Sequence, residues 1–302
     1  MAACFVRDGG GGSGDDGCER AGDGGAGDEK SVGQAQAQAD ERRMAVRRAV
    51  RCIAEVAEVK GTKEVASMIE ERLMPWTMRR VVGRTAQVVF EERLRRGQRA
   101  EHAILQADAM TLVPTEANGV SKTVLRLPED EYRDGEALEV FATSGAEGSL
   151  AATTHTCSGK GFAVVSTVEV TLWEMEGMSP KTIFRKAFVD KPTTIDYMPE
   201  LLEHMRVEFK TSHFWYLANA PVSLYPIVRE LREMSYPPGT ILLRDGSWTT
   251  ASGLLSSFLH GVKEHKLEQL EKLHETFPRR SFILLGSCSL VCRTARPLRY
   301  SC

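Results

Sequence analysis

The sequence lacks the features that define several large classes of protein. It has no apolar run near the ~18–20 residues of a membrane-spanning helix. Its net charge of −2 gives no general attraction to nucleic acid or to an anionic membrane. The seven cysteines are an odd number at scattered positions, which predicts neither a disulfide framework nor a zinc site and favours a reducing compartment. The start of the chain has no signal-peptide order. The 302 residues, 42% hydrophobic and 26% charged, are typical of a globular protein.

The amino-terminal 40 residues differ from the rest. They hold 11 of the 26 glycines, and most of the others are Asp, Ser, Gln and Ala. Such a segment cannot bury enough apolar surface to offset its chain entropy, so residues 1–40 are predicted to be disordered. Residues 1–41 carry 3 Lys/Arg against 9 Asp/Glu, whereas residues 42–99 carry 15 against 7, so an acidic tail precedes a basic segment.

Residues 41–82 are predicted to be helical. Apolar side chains recur at helical spacing over residues 41–59, with arginines on the other faces, and a second helix is expected over residues 63–73. A basic amphipathic helix fits either an anionic membrane surface or the surface of its own domain. The first helix has no Trp or Phe on its apolar face, which favours the second alternative. Because no aromatic residues interleave the arginines, no nucleic-acid partner is expected.

Residues 83–150 are predicted to form a small antiparallel β domain. Short β-rich runs are separated there by the turn signals PTEANG and RDG. Strands are expected at residues 85–90, 102–112, 122–127 and 137–143. A Gly-, Ser- and Thr-rich stretch, residues 144–161, is expected to mark the boundary of this domain.

Beyond residue 161 the chain alternates strand and helix patterns. Such alternation predicts parallel βαβ units in an α/β three-layer sandwich. Sites in such sheets lie at the carboxyl ends of the strands, so candidate residues are expected after Val165, Tyr216 and Leu285. The strands are expected at residues 162–172, 213–217, 240–243 and 281–285, and the helices at residues 199–207, 221–234 and 262–276.

Several stretches in residues 161–286 resemble the catalytic domain of a known family. They read FWYLANAPVSLYPIVREL, YPPGTILLRD and FPRRSFILLG, and ERLMPWTMRRVVGRTAQVVF resembles the entry to the same family's amino-terminal half. The family is that of the actin-patch-associated phosphatidate phosphatases, and the fungal branch is the most similar. The resemblance implies a haloacid-dehalogenase-like (HAD-like) fold, Mg²⁺ as cofactor and phosphatidate or a related anionic lipid as partner. Because that substrate resides in a bilayer, it also implies a cytoplasmic protein with peripheral membrane contact.

The family chemistry that the resemblance implies depends on a D-x-D-x-T motif after the first strand. Its first aspartate attacks phosphorus, its second protonates the leaving oxygen, and alternation along the strand places the two side chains on one side. A hydroxyl residue after the second strand and a helical lysine hold the phosphoryl oxygens. Carboxylates of a GDSxxxD motif bind Mg²⁺, a hard cation that requires oxygen ligands.

This chain departs from those motifs. VVSTVEVTLW places Thr167 at the nucleophile position and Glu169 at the acid/base position. YLANAP places Ala218 at the hydroxyl position and keeps Asn219, which is expected to bind phosphate. Lys266 is the expected phosphate-binding lysine, with Lys263 as the alternative. The remaining departures are Val170 and Ser287, which stand where acidic residues belong, so no metal ligand is assigned.

Other carboxylates are weaker candidates for the lost ones. Asp245 follows a predicted strand and fits a pocket residue and a turn residue equally well. A further set is interpreted as surface groups: Glu174, Glu176, Asp190 and Asp196. Residues 287–302 hold three cysteines, three arginines and no carboxylate, and they are expected to be an atypical, aberrant tail.

Two functions follow. The first is a phosphatidate phosphatase-like protein that converts phosphatidate to diacylglycerol. A threonine hydroxyl without an adjacent base is a weak nucleophile and brings no charge to a metal, so Thr167 argues against turnover by the family mechanism. The alternative is a catalytically inactive pseudophosphatase that acts as a lipid- or protein-binding scaffold.

Overall fold

The structure is a computed structural model that describes residues 43–77, 82–90, 110–117, 119–125, 134–143, 149–175, 177, 179–211, 213–244 and 251–287. The expected disordered tail, residues 1–40, lies outside the described residues, as does nearly all of the expected aberrant tail. No described helix is both long enough and apolar enough to cross a bilayer. The boundaries predicted between the segments of the chain stay predictions.

Two sheets and their helices follow one another along the chain. Helix α1 covers residues 43–56. It is followed by α2 (Lys63–Thr77), β1 (Gln87–Phe90), β2 (Met110–Thr111), β3 (Ala137–Thr143), β4 (Ser149–His155), β5 (Lys160–Thr167), α3 (Pro180–Phe188), α4 (Met198–Glu208), β6 (Phe214–Pro221), a 3-10 turn (Val222–Leu224), α5 (Tyr225–Ser235), β7 (Thr240–Arg244), α6 (Ala251–Leu259), α7 (Val262–Thr276) and β8 (Arg279–Leu285).

The first sheet is antiparallel, as predicted, in the order β2-β1-β3-β4. Strand β3 has the predicted bounds, and seven of its residues pair with β4, from Ala137 with His155 to Thr143 with Ser149. The strand β4 lies inside the stretch expected to be a boundary. Its sequence, SLAATTH, has one large aliphatic residue, so its pairing comes from the neighbouring strand and not from a strong pattern of its own. Residues 122–125 were expected in a strand and form none.

The second sheet is parallel, also as predicted, in the order β7-β6-β5-β8. Strand β5 is central and pairs with β6 on one side and with β8 on the other. The chain therefore moves outward from β5 through β6 to β7 and then returns to the opposite side. Ligands in open α/β sheets bind at the carboxyl edge, near such a change of direction.

The alternating side chains of β5 and β6 supply two cores. Val164, Phe214 and Tyr216 face one layer, which holds side chains of α1 to α6. Ala163, Val165 and Trp215 face the other, which holds Leu270 and Leu273 of α7. The sheet is therefore covered by helices on both faces, which is the α/β three-layer arrangement expected from the sequence.

Helices α3 and α6 were absent from the sequence-based predictions. Helix α3 has recognisable signals, since Ser179 Oγ accepts the N–H of Thr182 at 3.1 Å and a proline follows at the first helical position. Its buried residues, Ile183, Phe184, Ala187 and Phe188, also recur at helical spacing. The spacing of the apolar residues predicts a helix when it is combined with the capping residue Ser179.

Asp134 joins the two sheets at the amino-terminal edge of the parallel sheet. Its Oδ1 accepts the N–H of Ser158 at 2.6 Å and the Nη2–H of Arg280 at 3.2 Å, and it lies 2.7 Å from His213 Nε2. The side chains of Arg280 and His213 are almost fully buried. This cluster stands just before β3 and reaches the starts of β6 and β8, so it fixes the antiparallel sheet to the parallel one.

The same cluster ties stability to pH. Burial lowers the pKa of His213, against the opposing effect of Asp134. Partial burial acts to raise the pKa of Asp134, but hydrogen bonds from Ser158 and His213, with the charges of His213 and Arg280, lower it overall. In both cases the unfolded chain takes up the proton first as the pH falls. Acidification below about 6.5, the ordinary pKa of His, therefore favours unfolding.

We expect Asp134→Asn to destabilise the fold at pH 7 by about 1–2 kcal/mol, a modest loss because the carboxylate is half exposed. The loss should shrink towards pH 4, because the wild-type carboxylate is then losing its charge. Urea unfolding at several pH values measures both effects. Asp196→Asn, a change at an exposed carboxylate, should alter stability by less than about 0.5 kcal/mol. Equal stability of Asp134→Asn and wild type at pH 7 would contradict the assigned role.

Candidate functional site

The parallel register brings three strand ends to one edge. Thr167 pairs with Leu217 of β6, and Ser166 pairs with Leu285 of β8. The residues that follow these pairs, Ala218 and Asn219 on one side and Ser287 on the other, therefore lie around the end of β5. The sequence predicted candidate residues after Val165, Tyr216 and Leu285 from the carboxyl-end rule for parallel sheets, and these three strand ends lie at one edge.

A tight turn follows β5 and directs Glu169 inward. The carbonyl of Val168 accepts the N–H groups of Leu172 and Trp173, both at 2.9 Å. Val170 has a φ of 63°. A β-branched residue rarely adopts this left-handed conformation, so the turn stores strain that the surrounding contacts maintain.

Thr167 is buried and its hydroxyl is engaged by another hydroxyl. Its Oγ1 lies 2.6 Å from Oγ1 of Thr171, which is also buried. A second hydroxyl is not a general base, so this contact does not activate Thr167 as a nucleophile. In the motif alignment from the sequence analysis, Thr171 stands where the family has a threonine and Thr167 stands where it has the nucleophile. Here the hydroxyl of Thr171 holds the hydroxyl of Thr167.

Glu169 is 0% exposed and bonded to the backbone of β6. Its Oε1 accepts the N–H of Asn219 at 2.8 Å and the N–H of Ala220 at 3.0 Å. Its Oε2 has no hydrogen-bond partner among the described residues. Burial raises the pKa of Glu169, against the opposing charge of Lys266 and the backbone donors. A raised pKa favours the protonated form of the carboxyl, which is the form that a general acid uses.

Lys266 faces the same region from helix α7. It is 6% exposed, and its Nζ makes no hydrogen bond within the described part of the chain. Burial lowers its pKa, against the opposing charge of Glu169. Lys263, the alternative phosphate-binding lysine, is exposed. The buried position therefore favours Lys266 over Lys263, although the role of either residue stays a proposal.

Asn219 is the third buried group with spare hydrogen-bonding capacity. The residue is fully buried, and neither Oδ1 nor Nδ2 finds a partner among the residues described. The carbonyl of its neighbour Ala218 lies 3.2 Å from His265 Nε2. That contact links β6 to helix α7 beside Lys266, so His265 positions the lysine. No local sequence pattern predicts this role for His265, because the contact joins residues far apart in the chain.

Arg244, at the carboxyl end of β7, is a residue that sequence reasoning missed. Its guanidinium donates to the carbonyls of Ser257, His260 and Gly261, where α6 ends and α7 begins. Gly261 has a φ of 61°, and a Cβ there would lie 2.9 Å from Arg244 Nη2. Arg244 therefore fixes the junction from which α7 carries Lys266. The only signal was its place after a predicted strand, in the text LLRD.

The other candidate carboxylates do not join this group. Glu174 is exposed and bonds to Thr193, and Asp190 pairs with Arg185. Asp196 is exposed. These positions agree with their interpretation as surface groups. Glu176 and Asp245 lie outside the described residues.

The side chains that the structure describes at this edge do not fit Mg²⁺. The ion prefers near-octahedral oxygen coordination with one or two carboxylates. Here Thr167 and Ser287 replace two expected carboxylates, and one oxygen of Glu169 is already held by two backbone N–H groups. Among the described residues, a group of three side chains able to hold a metal forms elsewhere, from Asp134, Cys157 and His213 at the opposite edge. Arg280 donates to Asp134 there and opposes a cation.

These observations define a class: an α/β protein with its candidate site at the carboxyl edge of a parallel sheet. Residues 162–289 match the family described as phosphatidate phosphatase APP1, catalytic domain. A yeast relative, phosphatidate phosphatase APP1 of Saccharomyces cerevisiae, is 23% identical over 112 residues. That match covers 35% of this chain and 18% of the relative, so this chain spans a small part of the relative's length. The family predicted from the sequence is confirmed.

We expect Glu169→Gln to raise Tm at pH 7–8. A buried carboxyl with a raised pKa favours unfolding as the pH rises above its ordinary value of 4.5, because the unfolded chain releases the proton first. Glutamine keeps the Oε1 acceptor and removes this dependence. Each kcal/mol recovered should raise Tm by about 2–4 °C, with no gain near pH 4. Thermal unfolding across this pH range is the measurement. A lower Tm at pH 7–8 with no change near pH 4 would show instead that the ionised carboxylate stabilises the fold.

Proposed function

We propose that this chain is a phosphatidate phosphatase-like protein whose α/β domain binds the phosphate monoester of phosphatidate or a related anionic lipid. The observation that supports this proposal is the group of buried, unpartnered polar atoms: Glu169 Oε2, the Asn219 amide and Lys266 Nζ. A buried polar group without a partner costs about 1–3 kcal/mol, more if charged. A ligand that accepts hydrogen bonds would satisfy Lys266 Nζ, Asn219 Nδ2 and, when Glu169 is protonated, its Oε2.

The family and the sheet order support a HAD-like site in which each group has a role. Lys266 and Asn219 would contact phosphoryl oxygens. Glu169 would place its proton near the oxygen that leaves, the role of the second aspartate in the family motif. The side chain is one methylene longer than aspartate, and a misplacement of ~1 Å can cost ~10²-fold in rate. These parts serve recognition and protonation of a phosphate monoester.

The residue at the nucleophile position, Thr167, argues against turnover. The contact between the hydroxyls of Thr167 and Thr171 favours the second candidate function, a pseudophosphatase that holds the lipid or a protein partner without turnover. The two functions share the same binding step and differ in whether phosphate is released. Because the ligand is a bilayer lipid, both include peripheral contact with a membrane.

Phosphate release from phosphatidate in mixed micelles separates the two functions. The wild type is expected to be silent, because Thr167 has no base, and Thr167→Asp with Ser287→Asp is expected to restore release in Mg²⁺. Release by the wild type would contradict the pseudophosphatase. If both proteins are silent while both bind phosphatidate vesicles, the pocket recognises the lipid, but restoring two carboxylates does not rebuild the catalytic site.

Lys266→Met should separate stability from binding. Removing a buried ammonium without a partner should raise Tm in the absence of ligand, because its desolvation cost is lost. The same change should weaken binding to phosphatidate vesicles by about ten-fold or more, since a charged hydrogen bond is worth about 1.5–3 kcal/mol. Thermal unfolding and vesicle co-sedimentation measure the two effects.

Lys263→Met is the matched control, on the same helix and exposed. It should leave Tm and vesicle binding unchanged. Loss of binding in Lys263→Met but not in Lys266→Met would assign the phosphate to the other lysine and overturn the proposed site.

A further inference from the structure

We propose that the site formed by Glu169, Asn219 and Lys266 binds the phosphate monoester without Mg²⁺, with the fixed charges of Lys266 and Arg244 in place of the metal's. This inference rests on the proposed function, because it concerns the same site. It goes further by stating that binding needs no divalent cation, in contrast to what the family implies.

The described side chains at this edge carry fewer negative charges than the family pattern implies, so its cations outnumber its carboxylates. The expected carboxylates at positions 167 and 287 are hydroxyls here, and Val170 replaces another acid. Glu169 is the carboxyl that remains among them. Lys266 is close enough for its charge to act on Glu169, and so is Arg244. A phosphate monoester carries about −1.5 to −2 charges at pH 7, so Lys266 would complement it by contact and Arg244 through its field.

The same two cations oppose the entry of Mg²⁺. A divalent cation needs carboxylates to offset the loss of its hydration, and like charges nearby disfavour it. Two of the oxygen atoms at this edge are also engaged, since Thr167 Oγ1 pairs with Thr171 and Glu169 Oε1 accepts two N–H groups. Among the described residues this leaves Glu169 Oε2 and Asn219 Oδ1, which are too few oxygen ligands for near-octahedral Mg²⁺.

Arg244 is held in place before any ligand arrives. It donates to three carbonyls at the junction of α6 and α7, at 2.7 Å from His260 O and 3.4 Å from Gly261 O, with Ser257 O as the third acceptor. Carbonyls at the end of a helix carry partial negative charge, which favours a cation there. The guanidinium therefore acts on the pocket through its field and by fixing helix α7, and it is a positioning residue.

The test measures binding of the full chain with and without Mg²⁺, using two probes. Inorganic phosphate reports the headgroup chemistry, and phosphatidylcholine vesicles with and without phosphatidate report the lipid, with phosphatidylserine vesicles as a control for general negative charge. We expect dissociation constants in EDTA and in Mg²⁺ to agree within about two-fold, and we expect Mg²⁺ alone to leave Tm unchanged. Binding of phosphate but not of phosphatidate vesicles would identify a small phosphorylated molecule as the ligand and overturn the lipid part of the proposed function.

Variants of the site residues and of a control residue test whether the effect of Mg²⁺ on binding arises at this site. Thr167→Asp with Ser287→Asp should acquire a requirement for Mg²⁺, so that EDTA weakens its binding by about ten-fold or more. Lys272→Met, a change at an exposed lysine of the same helix, should behave as wild type. Arg244→Lys keeps the charge but not the fork of hydrogen bonds, so it should weaken phosphate binding while keeping it independent of Mg²⁺.

The failures of the two proposals can be told apart. Binding by the wild type that disappears in EDTA would overturn the metal independence and leave the proposed function intact. No binding of phosphate or of phosphatidate in either condition would overturn both. An increase of Tm with Mg²⁺ alone, lost in Glu169→Gln, would show that the pocket still holds the cation.

Discussion

Two backbone N–H groups of β6, those of Asn219 and Ala220, donate to one oxygen of the Glu169 carboxyl, and the rest of the site is arranged around this contact. It holds the turn after β5 against the neighbouring strand, although Val170 in that turn has a φ of 63°. It also leaves the second carboxyl oxygen facing the region of Lys266. Glutamate suits this role because its side chain is one methylene longer than that of aspartate. From its position just after β5, the carboxyl of Glu169 therefore reaches the backbone of β6.

The architecture of the α/β scaffold depends little on the charges at its strand ends. The apolar positions of β5 and β6 still supply cores on both faces of the sheet. Those positions are selected by packing, which is indifferent to the chemistry of the strand ends. The polar residues at the ends interact with each other and with any ligand, so they can be replaced as a set without disturbing the layers beneath them.

The sequence predicted the sheets well because their signals are local. The bounds of β3 and α7 are those expected, since alternation and the glycine before α7 mark them. Strand β4 was missed because its pairing comes from β3. The sequence placed Thr167 and Asn219 near the carboxyl ends of parallel strands because sites in such sheets lie there, whereas Lys266 was assigned from the family resemblance. Other features of the site depend on contacts between distant parts of the chain, which no local pattern reveals. They are the burial of Lys266, the contact of His265 with Ala218 and the hydrogen bonds from Arg244 to the junction of α6 and α7.

The position of β5 in the middle of its sheet has a consequence for folding. Strand β8 pairs with β5 over seven residues, beginning with Lys160 opposite Arg279. During synthesis, β5 and β6 are complete long before β8 emerges from the ribosome, and one edge of β5 is then unprotected. That edge carries the apolar run AVV, which is the kind of surface on which other chains can add a strand. Long-range parallel pairing is also slow. A partly synthesised chain is therefore most prone to aggregate through β5, the strand that precedes the candidate site. We expect folding during synthesis to depend on chaperones for this reason.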